Sequence, residues 1–234
     1  MKTFPPVQYY YLREELSIAE EFLALAPKLT EEFLNYHQDF IDGDFSKGVP
    51  YRNPFVMSRI WQSNATAWYS DEIRYTYPAM KFTLDHTQTD SEKKKYYPTA
   101  TALTQKYRDH CEISAYSILD KNSVITRHTG PEDRNNKIVR VHIPLLIPEG
   151  DIFFEIEGVE IDWTDIFAFS TQYIHSAHNY TNYRRLIYMI DIKRSYLGLP
   201  EGLPYSQERE KACPPFVRGE IPKQLHKHQQ NNNT

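Results

Sequence analysis

Five histidines, His110, His128, His142, His175 and His178, lie in the β-rich part of the chain, and four features of their arrangement bear on chemistry. His128 opens a His-Thr-Gly-Pro turn at a strand end. His175 begins a further strand region, and Arg185 lies on the strand after it. In Arg140-Val141-His142 a period of two puts the arginine and the histidine on one sheet face. Two imidazoles brought together from different strands, with open positions and no thiolate, suit a borderline transition metal such as non-heme Fe(II). A nearby arginine suits a carboxylate, because its planar fork gives two parallel charge-assisted hydrogen bonds. By spacing alone, the same residues also read as packed or surface histidines beside a surface ion pair. His178, at an odd offset from His175, points to the opposite strand face and reads as structural. His226 and His228 in the tail read as incidental.

The elements that must position these groups are strands. Beyond His110, segments 113–119, 123–126, 138–147, 152–156, 159–161, 166–169 and 185–192 are short and rich in Ile, Val, Phe and Tyr. Asp, Asn, Gly and Pro turns separate them. Such a series predicts a sandwich or barrel-like double sheet with helices packed outside it, hence a mainly β chain with flanking helices (α+β). Before it, apolar residues from Leu16 to Leu34 recur at spacings of three and four over a helical stretch from Tyr11 to Ile41. Pro27 is expected to split this stretch, with a second helix starting near Thr30. Residues 42–60, with Gly43, Gly48, Pro50 and Pro54, read as a loop. Residues 73–84 are strand-like, and Pro98 precedes a helix over 99–108. The expected organisation is one domain over 1–194, with a helical N-terminal part (1–110) and a β core (111–194). A C-terminal extension over 195–234 follows, and its HKHQQNNNT end is expected to be disordered.

Composition narrows the function classes. The 234 residues suffice for one sizeable core, and the 18 Tyr, 12 Phe and 3 Trp suit a β-rich fold with a walled pocket. A formal net charge of -4 gives no sign of a nucleic-acid surface, and Lys93-Lys94-Lys95 reads as a solvated turn. Two cysteines, Cys111 and Cys213, point to a reducing compartment. The N-terminus lacks the basic start and apolar core of a signal peptide, and no apolar run reaches the roughly 20 residues that span a bilayer. A soluble, cytoplasmic protein without nucleic-acid or membrane partners is expected.

The motifs Tyr116-Ser-Ile-Leu, His128-Thr-Gly-Pro, Arg140-Val-His142, Phe169 to His175 and Arg185-Leu-Ile-Tyr-Met-Ile-Asp191 stand in order over about residues 111–193. Together they resemble the aspartyl/asparaginyl β-hydroxylase family, with one short insertion inside 132–137. The resemblance implies a double-stranded β-helix (jelly-roll, cupin-like) that binds Fe(II) and 2-oxoglutarate. It implies that His128 and His175 are the two iron ligands, and that Gly130 stands where most such oxygenases place a third, carboxylate ligand. It further implies that Arg185 pairs with the distal carboxylate of 2-oxoglutarate. Ser117, Arg140 and His142 match cosubstrate contacts, the last two near its 1-carboxylate. The chain departs from animal members at Ser170 and Thr171, where they carry an acidic pair. Pro144, after the Arg-Val-His element, suits a strand edge.

The activity so implied is hydroxylation of an unactivated C–H bond by O2. The expected target is the β-carbon of an Asp or Asn side chain in a peptide, or of a free amino acid or small conjugate. Two rivals follow. An iron without its carboxylate ligand would accept halide, which makes a halogenase acting on an amino acid-like substrate. A non-catalytic β-sandwich binding module is the other. Trp61 and Trp68 read either as a roof over the substrate or as core. Arg127, Arg134 and Arg184 are unranked candidates for a substrate carboxylate.

Overall fold

The computed structural model describes residues 8–36, 56–59, 68–70, 79–84, 97–119, 121, 123–129 and 137–202. The elements run β1 (Tyr10–Leu12), α1 (Ala19–Tyr36), β2 (Val56–Arg59), β3 (Trp68–Ser70), β4 (Ala79–Leu84) and α2 (Pro98–Lys106). They continue β5 (Cys111–Leu119), β6 (Ser123–His128), β7 (Ile138–Leu146), β8 (Ile152–Ile156), β9 (Val159–Ile161), β10 (Phe167–Phe169), β11 (His175–Asn179), β12 (Arg185–Lys193) and α3 (Arg194–Leu197). Two antiparallel sheets result, a seven-stranded one in the order β1-β10-β7-β12-β5-β4-β2 and a five-stranded one in the order β3-β6-β11-β8-β9. From β5 onward the chain alternates between the sheets, with only β8 and β9 staying together, and this winding is that of a double-stranded β-helix.

Alternation along the central strands explains the layers. On β12, Leu186, Tyr188, Ile190 and Ile192 turn outward, as do Val139, Val141 and Ile143 of β7. Phe22, Leu29 and Phe33 of α1 and Ala100 and Leu103 of α2 cover them. The intervening residues turn inward: Ile187 and Met189 of β12 meet Phe167 and Phe169 of β10, and Phe154, Ile156 and Ala177 of the smaller sheet. Both faces of β12 are therefore buried, which is why its sequence reads as nearly continuous apolar. Glu32 of α1 ties the two helices together by accepting hydrogen bonds from the backbone N–H groups of Thr99 and, at 3.2 Å, Ala100 in the first turn of α2.

Three expectations are corrected. Pro27 does not end a helix, because α1 runs unbroken through it. An internal proline costs about 3 kcal/mol, but Phe22, Leu29 and Phe33 flank it and are fully buried. Each large apolar side chain so placed contributes about 1.5–3 kcal/mol, so burial outweighs the lost hydrogen bond. The stretch 42–60 is not all loop, since β2 pairs with β4 in register Val56↔Leu84 to Arg59↔Lys81. Nor is the N-terminal part only helical: β1, β2 and β4 extend the larger sheet and β3 extends the smaller. The strand expected at 73–84 is β4, and the helix expected over 99–108 is α2. The tail after residue 202, with its expected disorder, lies outside the described residues. Among the described residues no helix is long and apolar enough to cross a membrane.

Candidate active site

Strand pairing sets the two distant histidine positions opposite each other. In the β11–β6 ladder His175 is the direct partner of His128, while Ala177 partners Ile125. An unbroken register from Ala177 and Ile125 would set Arg127 opposite His175. The irregularity between those pairs inserts one extra β6 residue and shifts His128 into that place. Arg127 is left exposed, 3.6 Å from Glu155. The bulge thereby makes His128 and His175 backbone partners in the ladder.

His175 is held in one orientation. Its Nδ1 lies 2.7 Å from the Tyr173 carbonyl oxygen. A carbonyl only accepts, so Nδ1 carries a proton, and in the neutral ring Nε2 carries the lone pair. This is the second-sphere contact that orients metal-binding imidazoles. Phe154 and Phe169 pack around the ring, with centroids 5.8 and 5.0 Å away. His178, further along β11, lies beside its β8 partner Phe153 and bonds Asp151 Oδ1 at 2.9 Å.

Arg185 opens β12 and is only 1% exposed. Its Nη2 donates to Ser117 Oγ at 3.4 Å, and its guanidinium carbon sits 4.4 Å from the centre of the Trp163 ring. Its Nε and Nη1 are buried without a hydrogen-bond partner. Burial pushes its pKa down to about 9, so the group remains a cation at neutral pH. A buried cation with two unanswered N–H groups is costly unless an anion meets it. The nearest acid on the same strand face, Asp191, is already taken. Its two oxygens accept from Arg140 Nε at 2.7 Å and Nη2 at 2.8 Å, across the Asp191↔Arg140 register pair.

His142 sits in an aromatic box of Phe154, Trp163, Phe167 and Phe169, with ring centroids within 6 Å. Burial, and then the nearby Arg185, Arg140 and His175, hold its pKa well below the usual histidine range, so the ring is neutral. Its Nδ1 is buried without a hydrogen-bond partner. His175, His142, Arg185 and Ser117 thus gather in one space between the sheets, with Arg140 on the same face but engaged by Asp191.

These groups fit an iron and 2-oxoglutarate site. The donor set is imidazole, and unsatisfied buried N–H groups await an anion. Among the described residues no group of three or more His, Cys, Asp or Glu side chains clusters as a metal cage. A two-imidazole centre lies below that count. Gly130 and Arg134 lie outside the described residues, as does Trp61, while Trp68 is placed only by its backbone in β3. Arg184 is buried at the start of β12, and Ser170 and Thr171 are buried after β10.

Two residues escaped the sequence reading. Asp191 is an acid within an apolar strand, a signal that a buried partner exists. Trp163 lies in the Asp162-Trp163-Thr164-Asp165 turn between β9 and β10. Asp162 Oδ1 accepts there from the Thr164 backbone N–H at 2.8 Å and hydroxyl at 2.7 Å.

A family model described as aspartyl/asparaginyl beta-hydroxylase matches residues 13–195. Comparison with curated proteins gives no match. Among solved structures, a prolyl-4-hydroxylase from Pseudomonas putida is 13% identical with a TM-score of 0.39, covering 73% of this chain and 86% of its own. A prolyl hydroxylase from Trichoplax adhaerens, solved with a hypoxia inducible factor peptide fragment, is 13% identical with a TM-score of 0.35, covering 76% and 92%. A predicted oxalate decarboxylase from Thermotoga maritima is 17% identical with a TM-score of 0.32, covering 49% and 80%. These likenesses are distant, and the assignment rests on the family match and the site.

Proposed function

The chain belongs to the aspartyl/asparaginyl β-hydroxylase family of Fe(II)- and 2-oxoglutarate-dependent dioxygenases, and we propose that it hydroxylates the β-carbon of an Asp or Asn side chain, in a peptide or in a free amino acid or small conjugate. We assign iron binding to His128 and His175. Arg185 and Ser117 take the distal carboxylate of 2-oxoglutarate, and His142 and Arg140 flank its 1-carboxylate end. When bound, the metal and cosubstrate supply O2 activation, decarboxylation to succinate and CO2, and insertion of one oxygen atom into a C–H bond.

The protein's own part is geometry and electrostatics. Tyr173 fixes the His175 tautomer, which would leave Nε2 to bind a metal. Arg185 supplies a charge already stripped of water, so the incoming carboxylate is bound without reorganising the site. Asp191 holds the Arg140 guanidinium at a set angle, and His142 stays neutral, adding no second cation beside a metal ion. Phe154, Phe167 and Phe169 keep water from the space. The cytoplasm, where the cysteines stay reduced, is the compartment this reading favours.

The observation that carries the proposal is the Arg185 guanidinium, buried with two nitrogens unanswered in the space between the sheets that also holds His175 and His142. The test is succinate release and product mass on adding Fe(II), 2-oxoglutarate and panels of Asp- and Asn-containing peptides and free amino acids. Stoichiometric succinate with a product one oxygen atom heavier at Asp or Asn is expected. Turnover confined to other residues would reject the substrate assignment, and no turnover with any substrate would reject the site.

A further inference from the structure

A third side chain, beside Arg185 and His142, carries a buried nitrogen unused by the site as assigned. Trp163 is 3% exposed, and its indole Nε1 has no hydrogen-bond partner. The ring carries the Arg185 guanidinium over its face at 4.4 Å and lies nearly parallel to His142, at 15° and 5.9 Å between centroids. A tryptophan that only filled core would direct its N–H to a carbonyl or to solvent, since a buried donor left unmet costs as much as a lost hydrogen bond. Here the donor is held in place by a turn whose Asp162 and Asp165 side chains cap the N–H groups of Thr164 and Ile166. Three side chains in contact through the Trp163 ring therefore carry four buried, unsatisfied nitrogens: Arg185 Nε and Nη1, His142 Nδ1 and Trp163 Nε1. The Nε and Nη1 hydrogens leave different edges of the guanidinium, so one carboxylate meets one of them together with Nη2, and the buried indole N–H is a further donor beside that anion.

We propose that Trp163 is a specificity-determining residue of the cosubstrate site, its ring face bracing Arg185 and its indole N–H donating to the distal carboxylate. This inference rests on the 2-oxoglutarate reading above. Arg185 alone attracts any carboxylate, whereas a second donor fixed by a turn sets where that carboxylate must end. The pair thereby selects a 2-oxo acid with a second acid group at the right distance.

The test is calorimetric binding to the Zn(II)-loaded full-length protein, with 2-oxoglutarate and with 2-oxopentanoate, which has the same chain length and no distal carboxylate. Trp163→Phe keeps an aromatic face and removes the donor. It is expected to weaken 2-oxoglutarate about tenfold while leaving 2-oxopentanoate unchanged, so that the affinity ratio falls. Loosened packing would weaken both ligands alike and leave the ratio constant. In an Arg185→Met background the Trp163→Phe effect should vanish. If wild-type protein fails to bind 2-oxoglutarate, the cosubstrate reading itself falls with this one. If wild type binds and Trp163→Phe binds equally well, or loses both ligands in proportion, only the role of Trp163 is overturned. Should Trp163→Phe not fold, the ¹⁵N-indole resonances of the wild-type protein decide. The Trp163 signal, identified by elimination in Trp61→Phe and Trp68→Phe, should move with 2-oxoglutarate and not with 2-oxopentanoate. An unmoved signal overturns the proposal.

Discussion

The two faces of β12 are built from alternate residues of one strand and obey opposite rules. Toward the helices it presents Leu186, Tyr188, Ile190 and Ile192, apolar or aromatic throughout and packed on other apolar groups. Toward the smaller sheet it presents Arg185, Ile187, Met189 and Asp191, so that both ends of this row are charged and one of them is unpaired. β7 repeats the contrast, with Val139, Val141 and Ile143 outward and Arg140 and His142 inward. The helix side stabilises the fold through burial. The inner side gives up stability to keep a desolvated cation ready. Sites that bind charge in a dry space are expected to carry such a cost.

Mutations on the inner face should therefore harm chemistry and spare the fold, and the largest such effect is expected at the metal position. His175→Ala should reduce succinate release to background with only a small change in melting temperature. Retained turnover would remove His175 from the site. Next, Arg185→Met should weaken 2-oxoglutarate about a hundredfold, within the 2–5 kcal/mol typical of truncating one partner of a buried charge pair. The same variant should melt no lower than wild type without cosubstrate, because it removes an uncompensated charge. The sign follows from linkage. The pKa of Arg185, about 9 in the folded chain, lies below the ordinary arginine value of 12.5. Its charge thus opposes folding at neutral pH, and this opposition lifts only as pH rises above about 9. A large fall in melting temperature for Arg185→Met would break the comparison.

The helix side supplies the mirror experiment. Ile190→Ala should cost about 2–5 kcal/mol of stability in denaturant titration, with 2-oxoglutarate affinity unchanged in the folded protein. Smallest near neutrality is the pH effect. Affinity for 2-oxoglutarate should be flat from about pH 6 to pH 8, because His142 is neutral throughout. It should then weaken about tenfold per pH unit above about 9 as free Arg185 loses its proton. A step near the usual histidine range would place a titrating imidazole against the cosubstrate.

Much of this was legible in the sequence because β structure writes its burial pattern at period two. The strands holding Arg185, His142 and Ser117 were marked by Ile, Val and Tyr between turn residues, whereas the His-Ser-Ala-His-Asn strand of His175 carries no such pattern, and Arg140-Val141-His142 set only its own two charged or polar side chains on one face. The β6 bulge was not legible. No residue between Ile125 and His128 announces it, and only pairing with β11 shows that Arg127 is displaced in favour of His128. Pro27 misled because local propensity is a weak prior against three buried aromatic and aliphatic side chains. β1 and β2 are short edge strands that take their order from neighbours rather than from pattern. Trp163 was missed because a lone tryptophan in a turn gives no period to read, although its two flanking aspartates mark the turn.

The two imidazoles proposed to hold the metal would bring it no negative charge, so metal and 2-oxoglutarate should bind as a unit. Anaerobic calorimetry of Fe(II) into the protein, with and without saturating 2-oxoglutarate, tests this directly. Weak binding alone, much tighter binding with cosubstrate, and loss of both in His175→Ala are predicted. Equal iron affinity in the two titrations, or unchanged affinity in His175→Ala, would contradict it.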